Sequence, residues 1–286
     1  MILKTKRLQN TKTPQTVAGQ KQEQSVAFFL RRAYKDHPQV LVINDFKFRF
    51  NDEVAQIDHL IIYPYGFVLI ESKSIKGHVK VNKQGEWTRS HSSQWQGMAS
   101  PIKQVELQQA LLKELLRAHK SEILSKLLGI KQQGFNMRCW DQLCAISSDA
   151  VIDRNTMTAA ISDKLVKSEF LVEKLDQLMK IRNRVIRALN FTDTRPDFSQ
   201  TELDSISSFL LGHHIESQQI EAPVTPPTLI EPATIQPHIP QYQHAGQYSN
   251  RAQPNTHQLH SELRCKHCGE STNYTPMPGK FDSLKG

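Results

Sequence analysis

Long apolar runs are missing from this 286-residue sequence. A membrane-spanning helix needs roughly 18 consecutive apolar residues, and the most apolar stretch, Leu60 to Ile70, is broken by Pro64 and Gly66. Cysteine is scarce: four residues in two pairs, Cys139/Cys144 and Cys265/Cys268. That is too few to staple a chain of this length, which excludes a disulfide-built secreted scaffold. The opening residues, Met1-Ile2-Leu3-Lys4-Thr5-Lys6-Arg7, lack the apolar stretch of a secretory leader. The expectation is a soluble cytoplasmic protein with no membrane partner. Apolar residues make up only 38%, so part of the chain is expected to pack and part is not.

Acidic residues are the minority charge. Lys and Arg number 36 against 28 Asp and Glu, a net charge of +8. A basic balance favours a polyanionic partner, nucleic acid first, although many basic proteins bind nothing anionic. The excess is spread unevenly along a segmented chain. Residues 1–15 are polar, basic and aperiodic, and read as a flexible lead-in. Residues 16–215 carry nearly all the periodic apolar pattern, divided here into a core at 16–135 and a strand with helices at 136–215 that complete it. Seven of the 14 prolines fall in 216–260 among Gln, Thr, His and Asn, a composition that reads as a disordered linker. Residues 261–286 form a short Cys-containing tail.

Within the core, Val26, Phe29, Leu30 and Ala33 recur at helical spacing and predict a helix over 17–35. Strands are expected at 39–44, 46–50, 55–63 and 67–73, the last two joined by a tight turn at Pro64-Tyr65-Gly66. A short strand follows at 77–81. Ser100 and Pro101 open a helix over 101–118, continued at 121–128. A buried strand at 141–147, helices within 163–188 and a last helix at 199–213 complete the order. The expected class is α/β, a mixed sheet flanked by helices.

Two blocks interrupt the apolar strands: Gln56-Ile57-Asp58-His59, and Glu71-Ser72-Lys73. Alternation puts Glu71 and Lys73 on one face, and the hairpin brings Asp58 alongside. Two carboxylates and a lysine suit metal-assisted phosphodiester hydrolysis. The carboxylates offer hard oxygens to Mg²⁺ or Mn²⁺, and the lysine orients water and stabilises charge on the phosphorus. Glu23 lies on or beside the packed face of the first helix, where it needs a partner, a metal or a lysine. Taken singly, an Asp in a strand more often pairs with a nearby Lys or Arg, and a Glu-x-Lys triplet is common on solvated faces.

The pattern Gly19…Glu23, Gln56-Ile57-Asp58-His59, Gly66 to Lys73, Gly77, Trp87 and Ser100-Pro101…Gln104 resembles the nuclease-related domain, NERD, of the PD-(D/E)XK nuclease-like superfamily. The resemblance covers about residues 16–135. It implies a restriction-endonuclease-like core with metal carboxylates at Asp58 and Glu71, joined by Glu23, and the catalytic lysine at Lys73. Gln104 matches the glutamine of the helix that follows. Three residues separate Gly19 from Glu23 here, where family members often place the glycine directly before the glutamate. Gln56 and His59 belong to the matched block without a derived role.

Lys76, Lys80, Lys83 and Arg89, with Trp87 and Trp95 interleaved, form a candidate nucleic-acid contact, cations for phosphates and aromatics for bases. The equally weighted alternative is a solvated hairpin with Trp87 packed on the sheet. The cations at 113–126 and 180–187 read first as exposed helix faces. Cys265-x-x-Cys268-Gly269 is one knuckle of a zinc site, and it resembles the first half of a topoisomerase-type zinc ribbon. Four ligands are needed, so His257, His260, His267 or a second chain would have to supply the rest, and a homodimer is one arrangement that would. The leading expectation is a Mg²⁺- or Mn²⁺-dependent nuclease acting on DNA. The alternative is a non-catalytic nucleic-acid-binding or tethering protein on the same fold.

Overall fold

A computed structural model of the chain describes residues 1–7, 13–91, 94–127, 129–181, 195–216, 263–264 and 271–272. The helix α1 (Pro14–Tyr34) starts where Thr13 accepts a hydrogen bond from the Thr16 N–H and Pro14 takes a position that needs no donor. Its buried stripe is Gln22, Val26, Leu30 and Tyr34, at a spacing of four. Ala33, expected on that face, is exposed. α2 (Pro101–Ala118) is capped by Ser100, whose hydroxyl accepts from the Lys103 N–H, and buries Val105, Leu112, Leu115 and Leu116. α3 (Lys120–Ile123) is one turn long. The helix expected over 121–128 stops there because Leu124 turns extended.

The main sheet has six strands: β1 (Ile2–Lys4), β2 (Leu41–Phe50), β3 (Glu53–Tyr63), β4 (Gly66–Lys73), β10 (Cys139–Ile146) and β12 (Leu165–Lys167), in that spatial order. β2, β3 and β4 are antiparallel neighbours, while β1, β10 and β12 join in parallel, so the sheet is mixed. The two strands expected at 39–44 and 46–50 are one strand. Asn51 and Asp52, both with positive φ (47° and 62°), turn it back into β3, the conformation of the tightest hairpin turn. Within residues 1–15, expected to be a flexible lead-in, Ile2–Lys4 add a strand. The terminal ammonium is also held by carbonyls of Tyr34, His37 and Val40.

Apolar residues cover both faces of this sheet, as buried layers require. Phe67, Leu69 and Leu60 pack with α2 and with α6 (Gln200–Gly212). Ile61, Val68 and Ile70 pack with α1 and with α5 (Leu171–Met179). A second sheet, not anticipated beyond its first strand, has the order β11 (Ala150–Asp153), β5 (Gly77–Val81), β6 (Trp87–His91), β7 (Gln94–Met98). Val79, Val81, Trp87 and Ile146 form its core. Two short antiparallel pairs, β8 (Lys126–Leu127) with β9 (Lys131–Gln132) and β13 (Leu263–Arg264) with β14 (Ser271–Thr272), the one-turn α4 (Ala159–Ser162) and 3-10 turns at Arg154–Thr156 and Ser168–Phe170 are also present. The fold is therefore α/β, two mixed sheets flanked by helices.

Contacts divide the chain into two units, Met1–Val224 and Thr225–Gly286. The linker expected at 216–260 lies outside the described residues except for Glu216, as do Cys265, Cys268 and the basic residues 182–187. In the second unit β13 and β14 pair antiparallel.

Candidate active site

Both strands β2 and β3 change face at one step. The ladder between them pairs Asn44 with His59 and Phe46 with Ile57, and no pair forms between those two. Asp45, which falls opposite Asp58 at that step, has a φ of 56°. Phe46 and Ile57 consequently pack in the same layer as Ile43 and Leu60, where strict alternation would put them on the other side. The β3–β4 ladder runs to His59–Ile70, one step short of Asp58 opposite Glu71. Asp58 thus lies at the opened end of the ladder, and its Oδ2 accepts a hydrogen bond of 2.8 Å from the Ser72 N–H.

Glu71 is buried, with 2% of its surface exposed. Its Oε1 accepts from Lys73 Nζ at 2.6 Å, and its Oε2 from Gln108 Nε2 at 3.3 Å. Lys73 Nζ also donates to Gln104 Oε1 at 3.0 Å. Gln104 and Gln108 lie one turn apart on α2, so one helix face serves both the lysine and the carboxylate. Gln108 further donates to the Gln56 carbonyl at 2.7 Å, while the Gln56 amide donates to Asp45 Oδ1 at 2.7 Å.

His59 is buried between Asn44 and Ser72. Asn44 Nδ2 donates to the Lys4 carbonyl, which leaves Asn44 Oδ1 to accept from His59 Nδ1 at 2.7 Å. His59 Nε2 is then the acceptor for the Ser72 hydroxyl at 3.1 Å. Burial first, and Lys6 second, push the His59 pKa down to about 3, so the ring is neutral. The role missing from the sequence is positional: His59 holds Ser72, whose N–H holds Asp58.

Glu23 does have a lysine partner. Lys6 Nζ forms an ion pair with Glu23 Oε2, both side chains about 15% exposed. Burial works against the charge of Lys6, but Glu23, Asp45 and Asp58 together raise its pKa above the ordinary lysine value. Lys73 follows the same pattern: burial lowers its pKa, and Glu71 and then Asp58 more than offset this. Asp58 moves the other way for a carboxylate, well above its usual range, through burial first and then the charges of Glu71 and Glu23. All three shifts favour the protonated form at this end of the sheet.

The structure brings together Asp58, Glu71, Lys73 and Gln104, with Glu23 in electrostatic reach and tied to Lys6. Among the described residues no three His, Cys, Asp or Glu side chains group closely enough to cage an ion. Lys6 and Gln108 belong to the site although no motif includes them, and Ser72, part of the Glu71-Ser72-Lys73 block, acts through its N–H on Asp58. Gln108 was detectable at four residues from Gln104; Lys6 carried no signal. Gln22, also unanticipated, ties α1 to the sheet by donating to the Ala145 carbonyl and Ser168 Oγ at 3.2 and 2.8 Å.

The expected nucleic-acid contact divides. Trp87 is 3% exposed and packs with Val79 and Val81, so it offers no ring face to a base. Arg89, two residues on and in register with Val79, shares the face of Trp87 and is half-buried. Lys76 and Lys83 are exposed, and Lys80 lies on the opposite face from Trp87. A groove of about 760 Å³ bordered by β11, β12 and α5 lies elsewhere. Two cations that line it are committed, Arg154 to the Leu165 carbonyl and Lys167 to that of Ser148. Cys144 is buried, and burial raises its thiol pKa; it and Cys139 are both free thiols.

A mixed sheet whose antiparallel hairpin presents two carboxylates and a lysine is the arrangement of a nuclease-like α/β core. Residues 18–131 match the family described as the nuclease-related domain, NERD. That span contains Glu23, Asp58, Glu71, Lys73 and Gln104, and leaves Lys6 and everything after Lys131 outside it. Neither the curated proteins nor the solved structures yield a match to the chain. Among the described residues no helix is long and apolar enough to cross a membrane.

Proposed function

We propose that this protein is a Mg²⁺- or Mn²⁺-dependent nuclease that hydrolyses phosphodiester bonds in DNA. The observation that carries the reading is the convergence of Asp58, Glu71 and Lys73 at the opened end of the β3–β4 hairpin. The donor set fits a hard divalent cation. Asp58 and Glu71 offer carboxylate oxygens, and burial first, then the charges of Glu71 and Glu23, raise the Asp58 pKa, a cost that a bound cation would offset. Mg²⁺ commonly rests on one or two carboxylates and keeps several waters, which suits Asp58 and Glu71 with Glu23 nearby. Bound there, the cation would supply Lewis acidity to the scissile phosphate and to the attacking water.

The chain's own residues supply the rest. Lys73, fixed between Glu71 and Gln104, places an ammonium where charge grows on the phosphate oxygens. Gln108 keeps Glu71 oriented, and the His59–Ser72 pair keeps Asp58 oriented. Water attacks in line, the P–O bond opposite breaks, and the departing oxygen takes a proton. Lys76, Lys80, Lys83 and Arg89 are the cations proposed to follow the phosphate backbone. Zn²⁺ at Cys265 and Cys268, a homodimer and a cytoplasmic setting, which suits the free thiols Cys139 and Cys144, belong to the same proposal.

One observation favours the alternative of a binding fold without catalysis: Glu23 is paired with Lys6, and among the described residues no third acidic side chain groups with Asp58 and Glu71. Incubation of labelled linear, circular and single-stranded DNA with Mg²⁺, Mn²⁺ or EDTA separates the two. Metal-dependent cutting that Lys73→Met and Asp58→Asn abolish supports the nuclease. Retarded but intact DNA under every condition supports the binder.

A further inference from the structure

The exposed face of the second sheet has a composition unlike its buried face. Alternation along β5 sends Val79 and Val81 into the core and His78 and Lys80 outward. On β7, the edge strand, Trp95 is 47% exposed. Lys80 Nζ stands 4.6 Å from the centre of the Trp95 ring, and the His78 ring lies 6.4 Å away. Gly97, next but one on β7, would meet nothing within 4 Å even with a Cβ, so the surface beside the indole is open. Among the described residues Lys80 is in no ion pair. Asp153, its register partner on β11, turns its carboxylate to the Asn155 N–H.

The charge around this face is one-sided. Lys80 lies on it, Lys76 and Lys83 flank β5, and the one acid within residues 74–98 is Glu86; Arg89, in register with Val79, belongs to the other face. Only residues 74–76 separate Lys73 at the end of β4 from the first residue of β5. An exposed indole in a basic setting on a flat, open edge offers a π-face to a base and cations to the phosphates on either side of it. Bases inside a duplex are stacked on each other and show only their edges, whereas unpaired bases can lie on an aromatic ring.

We infer that Trp95, with Lys80 and His78, is a stacking platform for an unpaired nucleotide, and that the preferred substrate has a single-stranded segment next to the scissile bond. This inference rests on the nucleic-acid reading above and names the substrate class of that same site. It also moves the aromatic contact from Trp87, which is core, to Trp95, which is surface.

The test is fluorescence anisotropy in EDTA, so that nothing is cut, with a labelled oligothymidylate and a labelled blunt duplex of equal phosphate number. Base–aromatic stacking contributes enough that removing the ring weakens single-strand binding about tenfold. Trp95→Ala is expected to lose that factor on the oligothymidylate and to stay within about twofold of wild type on the duplex. Trp95→Phe is expected to recover most of the loss, because a smaller ring still stacks. An equal loss on both ligands, or none on either, overturns the platform and leaves the nuclease reading intact. Wild type that binds neither ligand overturns the platform together with the reading it rests on. Trp95 is exposed and the three proteins are compared by thermal melting, so a folding defect is visible separately.

Discussion

Lys6 reaches the carboxylate of Glu23 from a segment that precedes the NERD-like span, and the pair sits within electrostatic reach of Asp58. The N-terminal residues therefore complete the charge balance of the candidate site. Removing the ammonium leaves Glu23 half-buried beside other carboxylates. Lys6→Met is expected to lower stability by about 1–3 kcal/mol at neutral pH, the cost of stranding a poorly solvated charge. Glu23→Gln in the same chain should restore most of it. Urea unfolding of the two single variants and the double variant gives the coupling; additive effects would mean that the pair contributes nothing.

Lys73 has two fixed partners, Glu71 and Gln104, at 2.6 and 3.0 Å. If its ammonium acts on the phosphate, Lys73→Met should reduce the cleavage rate about 100-fold or more, the usual range for one electrostatic contact to a transition state. Gln104→Ala leaves the lysine in place but less constrained, and a loss of about tenfold is expected. Both are read from kcat with saturating Mg²⁺, alongside near-ultraviolet circular dichroism for the fold. Equal rates for Lys73→Met and wild type would remove Lys73 from the chemistry.

His59 is neutral and buried, with its pKa near 3 against 6.5 for a free histidine. Between those values the unfolded chain binds a proton that the folded chain does not, so stability rises as pH rises through this window and falls on acidification. The loss reaches about 4 kcal/mol by pH 3, at roughly 1.4 kcal/mol per pKa unit. Asp58, its pKa raised, contributes in the opposite sense as pH falls toward 4. Comparison of wild type with His59→Gln removes that shared contribution. The stability curve of the variant should be flatter between pH 6.5 and 3, and parallel curves would show that His59 is not the proton acceptor.

The blocks around Asp58 and Glu71 were legible because charged residues stood inside apolar strands whose pairing the Pro64-Tyr65-Gly66 turn announced. The α/β class followed from the same alternation. Three things were hidden for physical reasons. β1 is three residues long, and a strand that short has no period to read. β6 and β7 are polar along the sequence because β7 is an edge with its residues mostly exposed, so the Trp87 and Trp95 environments looked alike. The change of face at Asp45 and Asp58 depends on a left-handed φ at an aspartate, which propensity does not foretell. Contacts such as Lys6–Glu23 and Gln22–Ser168 join distant parts of the chain, and no local pattern encodes them.

Trp87 and Trp95 should separate by stability alone. Trp87 is 3% exposed within the core of the second sheet, and Trp95 is 47% exposed on its edge. Trp87→Ala empties a buried volume and should cost about 3–5 kcal/mol. Trp95→Ala should stay within about 0.5 kcal/mol of wild type, as surface changes do. Chemical unfolding of both variants decides this, and similar losses for the two would place the exposed face elsewhere.

Gly66 begins β4 at the point where β10 joins the sheet, opposite Cys139. A Cβ there would stand 1.9 Å from the Cys139 carbonyl oxygen and 2.8 Å from its amide nitrogen. Both are backbone atoms that cannot rotate away, and the Cys139 N–H is already bonded to the Tyr65 carbonyl at 2.8 Å. The parallel β4–β10 ladder runs from this contact along to Glu71 opposite Cys144 and Lys73 opposite Ile146. Gly66→Ala must push the two strands apart at one end of that ladder. A loss of about 3 kcal/mol or more is expected, in the range of changes that force backbone to move. Hydrogen exchange should show lost protection first at the Cys139 amide and then along β10. A variant as stable as wild type, with that amide still protected, would mean that β10 does not approach β4 this closely, and the placement of Glu71 and Lys73 beside β10 would fall with it.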